Sequence, residues 1–457
     1  MSNMPLNDAM FLLGESAGRP AHVIALQLFR PPEGAGDDYT ERLYADLLSL
    51  EGRVKPVFRK QPRRKLTSPS TLQWVDEGLD LDYHVRHAAL PGPGRVRELL
   101  EAVSLQHGVN LDRHRPLWEF HLYEGLQDGR FATTFKTHHS LADGISLAGH
   151  VLGGLSGDPA NREGQPPWAT AARGVRTPAR STTKVPAELR SPLSDVTAPV
   201  RTGLSATRTL VEMYRDVNAR LPFEAPRSAF NVSISGARRF AGDQWEHARF
   251  KVIAEVAGTS VNDVVLSVCG AALRAYLEEI GSLPDRSLVA MVPVSLRRPD
   301  AVFASGEGNA FGAILCDLET QEPDAGARLG SVAAQMKVGK QRLADLAPRE
   351  VLAVSRMIMG GAILSALGLG TPRQPFNLII SNVPASQHPL YWNGAQMTDI
   401  YPISMISEGQ ALNITVTRYA DKITFGIVGD RKAVPHLQRM LIHVENALAD
   451  LEKAVSA

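Results

Sequence analysis

Phe131 to Leu152 reads FATTFKTHH-SLAD-GISLAGHVL, and this stretch decides how the rest of the chain is read. Apolar and polar residues alternate from Phe131 to His139, a pattern that predicts a strand. GISLAGHVLGGL, from Gly144, predicts a helix. Between the two lies His138-His139-Ser140-Leu141-Ala142-Asp143-Gly144. Two imidazoles and a carboxylate therefore gather at the end of a strand, where sites are commonly built. Gly144 permits a tight turn or a close backbone approach.

Those residue types suit acyl transfer to a hydroxyl. An alcohol is a poor nucleophile at neutral pH. A neutral imidazole within hydrogen-bond reach can take its proton as the oxygen attacks a thioester carbonyl. Histidine fits because its unperturbed pKa is ~6.5, and such a base typically contributes ~10²–10⁴-fold in rate. The leaving thiolate can recover the proton, so neither a metal nor a covalent enzyme intermediate is required. Other readings compete. His138, His139 and Asp143 as metal ligands is awkward, because adjacent histidines on a strand point to opposite faces. The H-E-x-x-H spacing is also missing, so no metal is expected. Two satisfied core histidines remain an alternative on spacing alone. A serine hydrolase of the G-x-S-x-G kind is disfavoured: the pattern occurs at Gly14–Gly18, but there Arg-Pro and the strand-like HVIALQLF follow it, not the helix that the elbow needs.

Upstream of this stretch, strand-like and helix-like segments alternate. HVIALQLF (His22–Phe29) predicts a buried strand ended by a Pro-Pro turn, and WEFHLYEGL, from Trp118, a second strand. TERLYADLLSLEG, from Thr40, and RELLEAVSLQHG, from Arg97, carry helical spacing. From Ser156 to about Thr202, seven prolines punctuate an Arg/Ser/Thr/Ala-rich stretch without period, which reads as a long crossover linker. A helix is expected around Ala206–Arg220. Downstream, RSLVAMVPVSLR and NAFGAILCDL predict buried strands. SVNDVVLSVCGAALRAYLEEIG and HLQRMLIHVENALADLEKAV predict helices, and LNITVTRYADKITFGIVGD a hairpin turning at Ala420–Asp421. With 457 residues, one core is too few. We therefore expect two α/β or α+β lobes at residues 1–155 and 228–457, joined by a linker at 156–227, with substrate between them.

A net charge of +1 gives no reason to expect nucleic acid as a partner. Cys269 and Cys316 sit in apolar runs and read as buried hydrophobes. The N-terminus lacks the pattern of a signal peptide. No apolar stretch reaches the ~18–20 residues of a spanning helix, so membrane contact is expected to be peripheral.

H-H-x-x-x-D-G resembles the active-site motif of the CoA-dependent acyltransferase superfamily, which includes chloramphenicol acetyltransferase and peptide-synthetase condensation domains. The wider chain resembles one branch, the bacterial wax ester synthase/diacylglycerol acyltransferases. The matching segments are PLNDAMFLLGES (from Pro5), LDLDYHVRHAALPGPG (Leu79), RPLWEFHLYEGL (Arg115), HHSLADGIS (His138), SVNDVVLSVCGAALRAYL (Ser260), MVPVSLR (Met291) and FNLIISNVP (Phe376). The resemblance implies two chloramphenicol-acetyltransferase-like lobes, each a mixed sheet flanked by helices. It implies an acyl-CoA-dependent O-acyltransferase that esterifies diacylglycerol, long-chain fatty alcohols, or both. Acyl-CoA is then a substrate, with no permanently bound cofactor. The protein would be cytoplasmic, associated peripherally with the inner membrane or lipid inclusions. The rival expectations are a carrier-bound donor with another alcohol acceptor, and a non-catalytic lipid-binding protein.

By the same resemblance His139 is the general base, His138 its support, and Asp143 a structural residue paired with an arginine, for which Arg297 is the candidate. Ser260-Val-Asn-Asp263 also fits a helix capping box, so Asp263 reads as a cap. Asn262 could aim its amide at the developing oxyanion. Trp118, in Pro-Leu-Trp, reads as core. Ser381 and Asn382 are candidates for the mouth of the site. Gly360, in the small-residue run Met357–Gly370, and Met405 are candidates for lining. Arg53–Lys65 holds seven cations and no acid. It reads as a solvated face or as a surface attracting CoA phosphates or anionic head groups.

Overall fold

The computed structural model describes residues 2–65, 68–76, 78–170, 225–295, 311–346 and 374–456, with residues 350, 351, 354, 355 and 358. The first half runs β1 (Ser2–Asn3), α1 (Leu6–Gly14), β2 (His22–Arg30), α2 (Tyr39–Leu48), β3 (Gln61–Lys65), β4 (Ser68–Val75), α3 (Leu81–His84), β5 (Val85–Ala89), α4 (Val96–Gly108), β6 (Trp118–Glu124), β7 (Phe131–His138) and α5 (Gly144–Leu152). The second half runs β8 (Arg238–Glu246), α6 (His247–Val256), α7 (Val261–Glu279), β9 (Val289–Ser295), β10 (Phe311–Asp317), α8 (Ala325–Asp345), β11 (Leu378–Pro384), β12 (Tyr391–Trp392), β13 (Ala395–Ile403), β14 (Leu412–Tyr419), β15 (Lys422–Asp430) and α9 (Arg439–Ser456). The helix expected at 206–220 and most of the linker, 171–224, lie outside the described residues.

Two six-stranded mixed sheets form the lobes, ordered β12-β13-β2-β7-β6-β5 and β10-β9-β11-β14-β15-β8. β2 and β7 are central and buried on both faces, which is why HVIALQLF is apolar on both faces apart from His22 and Gln27. The expected hairpin is β14–β15, and Ala420 makes the turn at φ +49°. A smaller sheet, β1-β4-β3, packs against α1.

The sheets do not follow the linear division at 155 and 228. β13 leaves the second half of the chain and pairs antiparallel with β2, from Ile403↔Ile24 to Gln396↔Arg30, with a register shift between Met397 and Asp399. It completes the first lobe's sheet. Conversely, α4 packs on β8, and Ser104 Oγ accepts from Phe240 N at 2.9 Å. Gly426 lets β15 pass close to β13: a Cβ there would stand 2.0 Å from Pro402 O. Ile24, Leu26, Val103, Phe240, Tyr401 and Val428 form one apolar seam across both lobes. The lobes thus share a core, and their relative placement is fixed by packing. Residues 156–170 run back along the first lobe, where Trp168 stacks on Trp118 at 5.4 Å.

No single helix among the described residues is long and apolar enough to cross a membrane. α6 and α7 together have the length and composition, but they meet at 103°. Most of α7's apolar residues are buried in the second lobe's core.

Candidate active site

The site begins where β7 ends. His138 N donates to Leu117 O (3.0 Å) and His139 N to Ala21 O (2.9 Å), so the Pro-Leu-Trp strand and the chain before β2 fix the turn from both sides. Trp118 is fully buried and donates from Nε1 to Phe58 O at 2.7 Å, a core role. Asp143 caps α5, its Oδ1 accepting from Ser146 N at 2.7 Å. One helical turn therefore starts directly after the histidines.

The two imidazoles have different surroundings. His138 is fully buried. Its Nδ1 accepts from Ser140 N at 3.1 Å and lies 2.7 Å from Ser140 Oγ. An accepting Nδ1 leaves the proton on Nε2, which faces Glu15 Oε1 at 3.5 Å. Glu15 also accepts from Ala21 N (3.2 Å) and from Arg113 Nε (3.1 Å) and Nη2 (2.9 Å). Burial alone would raise the Glu15 carboxyl, but His138, Arg113 and the Ala21 amide together hold it below the usual carboxylate value. His138 is thus held by a hydrogen bond at Nδ1, and its Nε2 has only the 3.5 Å contact with Glu15 among the described residues.

His139 is half-buried, and its ring stacks on Phe11 of α1 with centroids 4.2 Å apart. Its Nδ1 is buried without a hydrogen-bond partner among the described residues, which leaves Nε2 as the nitrogen able to meet a substrate. Burial lowers its pKa below the ordinary 6.5; Asp143 opposes that shift and His138 adds to it. The imidazole is therefore neutral at physiological pH, the state a general base requires.

A third acid joins the site. Burial raises the Asp8 carboxyl, on α1, to about 6; Lys60 opposes this and Asp143 reinforces it. Asp8, Phe11 and Glu15 were not singled out in the sequence as site residues. PLNDAMFLLGES reads locally as an ordinary helix, and only the folded arrangement lays it over the histidines.

The second lobe closes the opposite wall. A Cβ on Gly144 would meet Val383 Cγ2 at 3.7 Å, so the α5 turn abuts the end of β11. The neighbouring Asn382 donates from Nδ2 to Asn262 Oδ1 at 3.3 Å. Asn262 stands in the first turn of α7, and among the described residues its own amide NH2 has no acceptor. Asp263 is the cap the sequence suggested. Its Oδ2 accepts from Thr259 Oγ1 (2.9 Å), Ser260 N (3.2 Å) and Ser260 Oγ (2.7 Å), and Oδ1 lies 3.7 Å from Lys340 Nζ. Ser381 is half-buried and Asn382 exposed at the β11 end. Met405 is half-buried just beyond β13, in a stretch where Ser404 Oγ bonds Thr415 Oγ1 at 2.7 Å. The structure thus brings His138, His139, Asp143, Gly144, Asn262, Ser381 and Asn382 around one seam. Arg297 and Gly360 lie outside the described residues, and with Arg297 the proposed Asp143 pairing.

The basic run divides into two parts. Arg53 holds Gln165 Oε1 and Thr170 O, and Lys55 holds Pro167 O, all at 2.6 Å, so both staple the returning chain. Arg63 and Arg64 are exposed on β3. No group of three or more His, Cys, Asp or Glu among the described residues is arranged to hold a metal. Burial pushes the Cys269 thiol to about 12 and Cys316 higher still, so neither is a nucleophile at neutral pH.

Comparison with known proteins agrees with this architecture. Residues 4–265 match the wax ester synthase/diacylglycerol acyltransferase catalytic domain, and residues 307–452 that family's C-terminal domain. A probable diacylglycerol O-acyltransferase of Mycobacterium tuberculosis, tgs2, is 43% identical over the whole of both chains. The solved wax ester synthase/diacylglycerol acyltransferase from Marinobacter aquaeolei VT8 superposes with a TM-score of 0.81 at 37% identity, covering 100% of each chain. The first condensation domain of the calcium-dependent antibiotic synthetase shares the fold (TM-score 0.64, 16% identity, covering 100% of this chain and 96% of that one). On sequence, on fold and on the setting of its paired histidines, the chain belongs to the wax ester synthase/diacylglycerol acyltransferase family.

Proposed function

We propose that the chain transfers the acyl group of an acyl-CoA to the hydroxyl of a diacylglycerol or a long-chain alcohol, with His139 as the general base. The observation that carries this reading is the neutral, half-buried imidazole at the interlobe seam, with Nε2 its only nitrogen able to reach a substrate. Nε2 accepts the hydroxyl proton as the oxygen attacks the thioester carbonyl. Collapse of the tetrahedral intermediate breaks the C–S bond. The imidazolium returns the proton to the thiolate, giving ester and CoA.

His138 and Glu15 position this base. Asp143 starts the helix behind it, and its negative charge stabilises the imidazolium that forms. Asn262 is the donor for the oxyanion; its Oδ1 is held by Asn382, which orients Nδ2. Ser381 and Met405 line the approach. The reaction as written needs no permanently bound cofactor. The insoluble acceptor implies work at a lipid surface, from the cytoplasmic side of the inner membrane or at lipid inclusions.

The test is CoA release from palmitoyl-CoA, measured with hexadecanol and with a diacylglycerol in parallel. Acceptor-dependent release that falls ~10²-fold or more in His139→Ala supports the reading. The ratio of the two wild-type rates names the preferred product. A folded protein that releases CoA with neither acceptor sinks it and turns attention to a carrier-bound donor.

A further inference from the structure

Among the described residues nine large apolar side chains are exposed, and five of them lie on segments that meet at one corner: Met10, Leu13, Leu105, Val109 and Val232. Met10 and Leu13 stand three residues apart on the outer side of α1. Leu105 and Val109 stand four apart at the end of α4. These segments touch: Asn110 Nδ2 donates to Ser16 O at 3.0 Å, and Arg113 Nη2 to Leu12 O at 2.8 Å. The loop after Val232 closes the corner. A Cβ on Gly236 would sit 2.9 Å from Ala17 O, and one on Gly108 would sit 2.8 Å from Gly236 O.

Two further observations say what this corner faces. First, α1 has an inner side at the reaction centre, where Phe11 stacks on His139, while Ala9 and Leu12 pack into a small core with Trp74. The apolar outer face and the catalytic imidazole are therefore opposite sides of one helix. Second, the small sheet beneath α1 carries the cations. β1 leads into α1 and pairs with β4, which pairs with β3, where Arg63 and Arg64 are exposed. Arg59–Lys65 contains five cations and no acid; Arg59 is paired with Asp76 at 3.0 Å and Lys60 faces Asp8, so the exposed charge of this run centres on β3. The other exposed apolar residues form no comparable cluster: Val252 and Val256, on α6, sit beside the Lys251–Glu255 ion pair, and Val338 and Ile442 stand singly on α8 and α9.

We propose that this corner docks on a lipid surface bearing anionic head groups. The outer face of α1 and the end of α4 enter the interface, and β3 supplies the cations. Apolar side chains next to cations are the combination that holds a peripheral protein on anionic lipid. That the docked face feeds acceptor to His139 rests on the acyl-transfer reading; the docking itself does not, and it is measured without turnover.

The test is flotation of the full chain with phosphatidylcholine vesicles, with and without phosphatidylglycerol. Leu13→Glu/Leu105→Glu places charges at two exposed helical positions where Leu and Glu have similar helix propensity. We expect the vesicle-bound fraction of this double variant to fall ~10-fold or more. Arg64→Glu should weaken binding to phosphatidylglycerol vesicles by about tenfold and leave the weak binding to pure phosphatidylcholine unchanged. Val252→Glu/Val256→Glu should bind as wild type. CoA release with a short, monomerically dissolved alcohol should be unchanged in all three, which reports intact folding. Wild-type-like flotation of Leu13→Glu/Leu105→Glu overturns the proposal. So does equal loss in the α6 variant. So does a wild type that ignores vesicles and self-associates through this corner, which assigns it to a second copy. A wild type that floats but turns over no acceptor leaves the docking intact and defeats only the acyl-transfer reading.

Discussion

The two walls of the seam are built differently. The first-lobe wall is charged, buried and over-determined. His138 Nδ1 is hydrogen-bonded, its Nε2 faces Glu15 at 3.5 Å, and Glu15 is held by an amide and a guanidinium. The second-lobe wall is neutral and partly open: two amides, Asn262 and Asn382, share one 3.3 Å hydrogen bond at an exposed rim. The contrast fits the work that the acyl-transfer reading proposes for each wall. A base must hold one orientation and one protonation state, which takes a buried framework. A group that only receives developing charge needs a donor in the right place, and a short amide at a helix start provides one.

The contrast is broken most severely at His139. His139→Ala should lower kcat by ~10²–10⁴-fold with little change in stability, since the ring has one stacking partner and its Nδ1 has no hydrogen bond among the described residues. Steady-state kinetics with thermal denaturation check both halves. On the opposite wall, Asn262→Ala should cost about 10–10²-fold in kcat, the low side of oxyanion-donor losses because solvent reaches the rim. An unchanged kcat would leave Asn262 a helix-start residue only.

Glu15→Ala should act through stability. It leaves a buried imidazole and a guanidinium without their carboxylate, at a cost of ~3 kcal/mol by denaturant titration. The pH dependence has a definite sign. Glu15 has a folded pKa below 4.5, so its contribution is present above 4.5 and is lost as pH falls through the folded value. The acid side of the wild-type stability curve should flatten in the variant. The smallest effect belongs to Asp143→Asn. Asparagine also caps, so α5 should persist. Removing the charge that raises the His139 pKa should move the acid limb of the rate profile to lower pH.

The central elements were legible in the sequence because their signals are local. The β7–turn–α5 unit, the β14–β15 hairpin and the Ser260–Asp263 cap each rest on periodicity or on neighbours three residues apart. What escaped was non-local. The AQMTDIYPI of β13 is not among the strands predicted from sequence, and nothing in it says that it pairs with β2, about 370 residues away. Likewise Phe11 and Glu15 sit in an unremarkable short helix. They become site residues only because α1 lies over the end of β7. From the residues alone the difference between His138 and His139 was legible only as strand alternation; the resemblance assigned the base to His139. Which one is locked and which faces substrate depends on Glu15 and Ser140, partners set by the fold.

The most direct test of the account is the pH dependence of kcat/KM for palmitoyl-CoA with a saturating alcohol. A neutral buried base predicts a rate that rises with pH through one ionisation below 6.5, the ordinary histidine value, and is level at neutral pH. An acid limb at or above 6.5, or the same limb in the residual activity of His139→Ala, would contradict it.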